Sequence, residues 1–162
     1  MRRALIYATD RQAIVDTIFK GFSPVAHGPL SAVTLGYSKD VEKWYPYDPE
    51  KARALLEEAG WVDEDGDGIR EKDGQPLVLE AYLMGWGYLP EIGQILQEQF
   101  RAVGVDMHIQ MVSFPAALDA ARQGAHNLIP FLFSSSDPDI LRTCFHSANA
   151  DGGFNWSKVR DP

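Results

Sequence analysis

The first residues whose types and spacing could do chemistry form an acidic loop. Asp63, Asp65 and Asp67 alternate along the chain, and Gly68 follows them. This order matches the first half of a D-x-D-x-D-G calcium loop, in which alternate carboxylates converge on one hard cation and the glycine permits a sharp turn. The twelfth position of such a loop takes a bidentate glutamate, but here that position is Gly74.

Two interpretations of this acidic loop stay open. In the first, a structural calcium ion is held by the three aspartates together with the Ile69 carbonyl, Glu71 and Asp73. The ion would be structural because the loop precedes the predicted sheet. In the second, the Asp-Gly pairs supply the left-handed conformations of a turn and the carboxylates are solvated. Apart from calcium, the sequence predicts no cofactor.

An aromatic turn is the second candidate site. Gly85-Trp86-Gly87-Tyr88 directly follows an apolar run that is predicted to be a strand. The glycines let the backbone approach a ligand, while Trp86 and Tyr88 present flat apolar area to it. The alternative is a flexible strand-to-helix turn in which an aromatic side chain anchors the next helix.

The third candidate site is a polar segment after the last apolar run of the chain. It consists of Phe133, Ser134, Ser135, Ser136 and Asp137. The serine hydroxyls are neutral hydrogen-bonding groups, and the Asp137 carboxylate is a charged one. For Asp137 two roles stay open, contact with a solute or capping of a short helix over 139–145.

Composition excludes several classes of function. The 162 residues include 15 Lys+Arg and 23 Asp+Glu, a net charge of −8, which argues against a nucleic-acid-binding surface. A single cysteine, Cys144, excludes an internal disulfide and a cysteine-ligated zinc site. No apolar run approaches the roughly 18 residues of a membrane span. Catalytic motifs such as G-x-S-x-G and H-E-x-x-H are missing from the sequence, so we do not expect an enzyme.

The elements that must position these candidates alternate between helix and strand. At the start, the sequence predicts two helical segments over 2–20, broken near Thr9 and Asp10, and then a long irregular loop over 21–47. The later elements are a helix over 49–59, a strand over 77–84, a helix over 90–103, a strand over 105–112, a helix over 115–123 and a third apolar run over 128–133.

Capping, alternation and proline signals within these elements indicate the fold class. Asp48 is expected to cap the helix that begins at Pro49. Alternation along strand 105–112 points Met111 inward and His108 outward. Pro130 has no N–H to give a sheet, which favours an edge strand or a bulge. Strands that alternate with helices predict a mixed α/β sheet, with ligands beyond the carboxyl ends of its strands.

Several stretches of the sequence resemble one known family. These are Arg3-Ala4-Leu5-Ile6-Tyr7-Ala8-Thr9-Asp10-Arg11, Asp48-Pro49-Glu50-Lys51-Ala52 and Asp65-Gly66-Asp67-Gly68-Ile69-Arg70. They resemble the peptide- and nickel-type solute-binding proteins of bacterial ABC importers, extracellular solute-binding protein family 5, over roughly residues 2–160. The resemblance implies a periplasmic-binding-protein-like lobe, with residues 1–162 as a single domain, the second large lobe of a longer protein.

The resemblance also implies a function. It is non-catalytic capture of a small polar solute, an oligosaccharide or a peptide-like molecule, by closure of two lobes. The implied partners are the missing first lobe and the membrane subunits of the importer, and the implied location is extracytoplasmic, with the signal peptide outside these residues. An isolated lobe would bind weakly and self-associate through its uncovered face.

One departure from the family bears on the solute. In peptide-binding members, an aspartate just after the last strand pairs with the α-ammonium group of the ligand, and the resemblance places Ser134 at that position. This difference moves the expected solute from a free-amine peptide towards a neutral molecule. Two alternative functions stay open: a calcium-stabilised structural or adhesion module, and a glycoside hydrolase that uses a carboxylate pair.

Overall fold

A computed structural model describes residues 1–132 and 137–160. Its first helices, α1 (Arg2–Ala8) and α2 (Arg11–Phe19), are separated at the predicted break. The Asp10 carboxylate accepts the backbone N–H of Ala13 at 2.9 Å and so begins α2. Residues 21–47 contain no strand, and their helical part is a 3₁₀ helix over Lys39–Lys43. The predicted irregular loop is confirmed.

Helix α3 (Pro49–Glu58) starts as its sequence predicts. The Asp48 carboxylate accepts the backbone N–H of Lys51 at 2.9 Å, and proline occupies the first turn, where a missing N–H costs no hydrogen bond. The helix packs against α1 and contributes Ala52 and Leu56 to the core. These helices cover one side of the hydrophobic core.

The sheet at the centre of the chain is parallel. Strand β3 (Val78–Met84) pairs with β4 (Asp106–Val112), with Val78 opposite Asp106 and Met84 opposite Val112. Helix α4 (Leu89–Arg101) makes the crossover between them. Before β3, the short strands β1 (Glu71–Lys72) and β2 (Gln75–Pro76) form a hairpin. The predicted strands over 77–84 and 105–112 and the predicted helix over 90–103 are confirmed to within a few residues.

The core lies between α4 and one face of this sheet. Leu79, Ala81 and Met107 are buried on that face, and Phe100 reaches them from α4. Gly93 permits the close approach, since an added Cβ there would overlap the Leu83 side chain. Packing of this kind supplies most of the stability of an amphipathic helix.

Two predictions about strands are wrong. The apolar run that begins at 128 forms one parallel bridge, Ala81 with Leu128, and its described part, 128–132, contains no strand. Pro130 has no N–H for continued pairing, which explains why the ladder stops. Met111 does not point into the core but is 53% exposed, because it lies at the carboxyl end of β4 beside the turn that starts at Gly85.

The end of the described chain wraps back onto its beginning. After α5 (Phe114–Gln123) come α6 (Ile140–Phe145) and a 3₁₀ helix over Ser147–Asn149. The buried Asn155 amide donates to the carbonyls of Phe145 and Val159 at 3.1 and 2.8 Å. Arg2 donates to the Ser157 carbonyl at 2.8 Å. Within the described residues, every helix is too short or too polar to cross a membrane.

Candidate functional site

An apolar groove of about 290 Å³ opens at the carboxyl end of β3. It brings the predicted residues Trp86 and Tyr88 together with the segment over 130–132. We call this site the β3 groove; it is lined by Phe19, Met84, Trp86, Gly87, Tyr88, Leu89, Ile92, Pro130, Phe131 and Leu132. Its position agrees with the rule that open α/β sheets bind ligands beyond the carboxyl ends of their strands.

The aromatic turn forms one wall of the β3 groove. Trp86 is 48% exposed and Tyr88 is 54% exposed, so both rings offer area to a solute. The Tyr88 ring meets Phe19 edge-to-face with 5.2 Å between centroids. The Tyr88 carbonyl accepts the N–H of Ile92 at 3.0 Å and so begins α4. The turn therefore anchors the helix and presents aromatic surface at the same time.

Asn127 holds the opposite wall of the β3 groove in place, a role that the sequence did not predict. The Asn127 side-chain oxygen accepts the backbone N–H of Glu80 at 2.7 Å. The backbone N–H groups of Asn127 and Leu128 both donate to the Glu80 carbonyl, at 2.9 and 3.1 Å, and the N–H of Tyr82 donates to the Leu128 carbonyl at 3.0 Å. These bonds attach the segment before Pro130 to β3, and a lone asparagine gives no sequence signal for such a role.

Phe131 stands between the β3 groove and a second, larger cavity. Its ring meets Trp156 edge-to-face with 4.6 Å between centroids. The second cavity is about 790 Å³ and is lined mainly by the loop over 26–34, the segment over 126–132, α6 and the chain over 154–157. Phe131 and Leu132 line both spaces, so a shift of this segment would change both.

Of the polar segment over 133–137 that the sequence predicts as a site, the structure describes only Asp137. Phe133, Ser134, Ser135 and Ser136 lie outside the described residues. Asp137 is exposed and does not line the β3 groove. Its carboxylate accepts the backbone N–H of Asp139 at 2.9 Å, just before α6, which favours the helix-start role over solute contact.

The acidic loop is built as a turn. The Asp63 carboxylate accepts the backbone N–H groups of Gly66 and Gly68, at 2.8 and 3.1 Å, and the Asp67 carboxylate accepts that of Ile69 at 2.7 Å. Gly66 and Gly68 have φ angles of +83° and +89°, the left-handed conformations that the sequence predicted. The turn interpretation thus has a direct structural basis.

The same loop also brings carboxylates together. Oxygens of Asp63, Asp65 and Glu71 lie within 4.8 Å of one another, whereas Asp67 and Asp73 are not in that group. Three convergent carboxylates fit a hard divalent cation, although exposed acidic groups also occur without one. The calcium ion stays a prediction, and none of these residues lines the β3 groove.

The face of the sheet opposite α4 carries a charged cluster. His108 lies outward and exposed as predicted, with Nε2 3.0 Å from an Asp106 oxygen and Nδ1 3.2 Å from a Glu80 oxygen. Hydrogen bonds to Asp106 and then to Glu80 raise the pKa of His108 above its ordinary value of 6.5. Gln110 donates to the other Glu80 oxygen at 2.6 Å. The two carboxylates each face a different ring nitrogen, so the cluster stabilises a protonated imidazole.

Comparison with known sequences gives consistent matches. A family model described as bacterial extracellular solute-binding proteins, family 5 Middle, matches residues 1–152. The chain is 30% identical over 161 residues to the oligopeptide-binding protein AppA of Bacillus subtilis (strain 168), a match that covers 96% of this chain and 30% of that protein. It is 38% identical over 110 residues to the nickel-binding periplasmic protein of Escherichia coli (strain K12), which covers 67% of this chain and 21% of that one.

Comparison with solved structures gives the same fold. The structure of AppA from Bacillus subtilis in complex with a nonapeptide matches with a TM-score of 0.89 at 29% identity, over 99% of this chain and 32% of that chain. The match confirms the predicted mixed α/β lobe. The chain spans about 30% of the length of the oligopeptide-binding relative that it matches.

Proposed function

Because the chain belongs to the bacterial extracellular solute-binding proteins of family 5, we propose that it forms one lobe of a two-lobe protein that captures a small solute for an ABC-type importer. The first lobe and the membrane subunits of the importer are then its partners. The role is non-catalytic, and the location is extracytoplasmic. Hinge closure of the two lobes around the solute is the mechanism that such a protein uses.

One observation supports the β3 groove as the site where the solute binds. Trp86, Tyr88 and Leu132 are all exposed, yet they line one groove at the carboxyl end of a parallel strand. Exposed apolar groups in a concave site indicate a surface that a ligand or partner covers. Lobe closure would remove this area from water, a gross gain of about 25 cal/mol per Å² of apolar surface from which the costs of association are subtracted.

The solute that the β3 groove favours is a peptide-like molecule. The named relative is an oligopeptide-binding protein, and its solved structure holds a nonapeptide. The groove offers apolar walls that suit amino-acid side chains. The resemblance to peptide-binding members implies an aspartate at the position of Ser134, and a serine supplies no charge partner for the α-ammonium group of a peptide. We therefore propose a peptide-like solute whose binding does not depend on a free α-amino group.

An oligosaccharide is the second candidate solute. The exposed Trp86 and Tyr88 rings could stack on sugar rings, since flat aromatic area suits such ligands. The β3 groove is less suited to a bare nickel ion. Among the described residues that line the β3 groove, none is a histidine, cysteine, aspartate or glutamate.

Calorimetric titration of the intact protein distinguishes these solutes. Di- to pentapeptides, the same peptides with an acetylated amino terminus, and oligosaccharides of similar size would be compared. The proposal expects peptide binding that acetylation leaves within a few-fold. Binding of oligosaccharides but not of peptides would show that the solute is a sugar. Loss of peptide binding on acetylation would contradict the proposal that Ser134 makes binding independent of a free α-amino group. Turnover of any glycoside would contradict the non-catalytic role.

A further inference from the structure

We infer that the β3 groove is a specificity subsite that accepts one apolar side chain of the solute, aromatic or branched aliphatic, and rejects a charged one. This inference rests on the proposed function and adds a selection rule to it. It comes from the chemistry, size and support of the groove walls.

The chemistry of the walls is uniform. Among the described residues that line the β3 groove, none carries a formal charge, and the polar side-chain groups are the Trp86 indole N–H and the Tyr88 hydroxyl. A charged side chain that entered would lose hydration and would gain no partner of opposite charge from these walls. An apolar side chain would lose only unfavourable contact with water. The groove therefore separates solutes by the charge of one side chain.

The size of the groove limits what it can accept. Its volume of about 290 Å³ is just below the roughly 300–1,000 Å³ that sites for whole small molecules occupy. The buried side chain of Met84 borders it at the carboxyl end of β3. A space of this size holds one side chain of a solute, while the rest of the solute lies outside it.

The walls are held in place before any solute arrives. Phe19 supports the Tyr88 ring, and Trp156 supports the Phe131 ring. Asn127 attaches the segment that precedes Pro130 to β3. Walls that need no rearrangement lose little conformational entropy on binding, so they can discriminate between side chains by shape and charge.

Leu132 is the residue through which the subsite can be tested with least damage to the fold. It lines the groove but is 72% exposed, so its side chain contributes little to the core. Leu35 is a matched control, since it is 81% exposed and lies outside the groove. Trp44, 59% exposed and also outside the groove, is the corresponding control for Trp86.

The experiment uses the intact two-lobe protein and a set of alanine tetrapeptides. Each peptide carries one Leu, Phe, Asp or Lys at one position, and affinities are measured by calorimetry. At one position we expect Leu or Phe to bind about 10- to 100-fold more tightly than Asp or Lys. Trp86→Ala and Leu132→Ala should reduce this ratio to a few-fold at most, while Trp44→Ala and Leu35→Ala should leave it unchanged. Circular dichroism melts confirm that all four variants fold.

The outcomes separate the inference from the function on which it rests. Peptide binding without selectivity at any position, or selectivity that survives both groove variants, overturns the subsite and leaves solute capture intact. If no peptide binds while oligosaccharides bind tightly, both the subsite and the peptide-like solute are wrong.

Discussion

The Asn127 side chain replaces a strand partner for Glu80. Its oxygen lies 2.7 Å from the Glu80 backbone nitrogen, while the Asn127 N–H donates back to the Glu80 carbonyl at 2.9 Å. One residue thus satisfies both backbone groups of Glu80 at the edge of β3. The segment that leads to Pro130 is positioned by this clamp rather than by a continued strand.

Loss of the clamp should free the groove wall. In Asn127→Ala the Glu80 N–H loses its acceptor, which we expect to cost about 1 kcal/mol of unfolding free energy. The amide hydrogens of Glu80 and Tyr82 should exchange faster with solvent, as measured by hydrogen exchange. Asn127→Asp keeps an acceptor oxygen at the same place and is the control. Equal exchange rates in the wild type and Asn127→Ala would show that the clamp does not hold the segment.

Gly104 and Arg70 offer a test of close packing. Arg70 is nearly buried, and its guanidinium donates to the carbonyls of Val103 and Trp61, both at 2.9 Å. Gly104 has a φ of +86°, and an added Cβ would lie 2.6 Å from Arg70 Cγ. Gly104→Ala should therefore destabilise the protein by more than the roughly 1–2 kcal/mol of a left-handed alanine alone.

Gly66 supplies the matched control for that substitution. Its φ is +83°, but no atom lies within 4 Å of the position that a Cβ would take. Gly66→Ala should show the cost of the left-handed conformation without the overlap. Urea unfolding measures both variants. Equal losses of stability would mean that the contact with Arg70 relaxes at no cost.

Asp63 should stabilise the acidic loop with or without calcium. Its two carboxylate oxygens accept the N–H groups of Gly66 and Gly68. We expect Asp63→Ala to lower the unfolding free energy by about 1–2 kcal/mol, and Asp63→Asn to lose less because it keeps one acceptor. Thermal melts in EDTA measure this effect. An Asp63→Ala variant as stable as the wild type in EDTA would contradict the turn.

The calcium interpretation makes its own prediction at the same loop. If an ion is held by Asp63, Asp65 and Glu71, millimolar calcium should raise the Tm of the wild type. Glu71→Gln removes one of these carboxylate charges, so the rise should shrink in that variant. A Tm that does not change between EDTA and calcium would leave the loop as a turn alone.

His108 should give the protein a small dependence of stability on pH. Since Asp106 and Glu80 raise the pKa of folded His108 above 6.5, its contribution is fully present below the unfolded pKa. It is lost as the pH rises through the higher folded pKa. The effect is small because the side chain is about half exposed and solvent screens the pair. Gln110, bonded to Glu80, and Arg101, 3.9 Å from Asp106, also face this cluster.

Nuclear magnetic resonance titration of the imidazole tests this prediction. The pKa of His108 should lie above 6.5 in the wild type and fall in Asp106→Asn, which removes the largest cause of the shift. His108→Gln should remove the contribution of this cluster to the pH dependence of stability above pH 6.5. An ordinary pKa in the wild type would show that the contacts with the two carboxylates do not persist in solution.

Local features of the sequence predicted much of the fold. Asp10 and Asp48 cap helices whose first residues are their immediate neighbours, so each signal and its effect lie within one helical turn. Strands β3 and β4 and the helix between them followed from hydrophobic periodicity, while the structure gives their parallel register. The aromatic turn is recognisable in the sequence because it directly follows a predicted strand; it lines the β3 groove, and solute binding there stays a prediction.

The remaining features depend on contacts between distant parts of the chain. Phe19 meets Tyr88 across the whole irregular loop and α3, and Asn127 reaches back to Glu80. Neither contact has a local sequence signal. The exposure of Met111 likewise depends on where the elements that pack on the sheet end. The alternation of apolar and polar residues along β4 predicts burial instead.

A structure of the intact protein with a bound peptide tests the central claim most directly. The account predicts that one apolar side chain of the peptide enters the β3 groove and lies within van der Waals distance, about 4 Å, of Trp86, Tyr88 and Leu132. A bound solute that touches none of these three residues would contradict it.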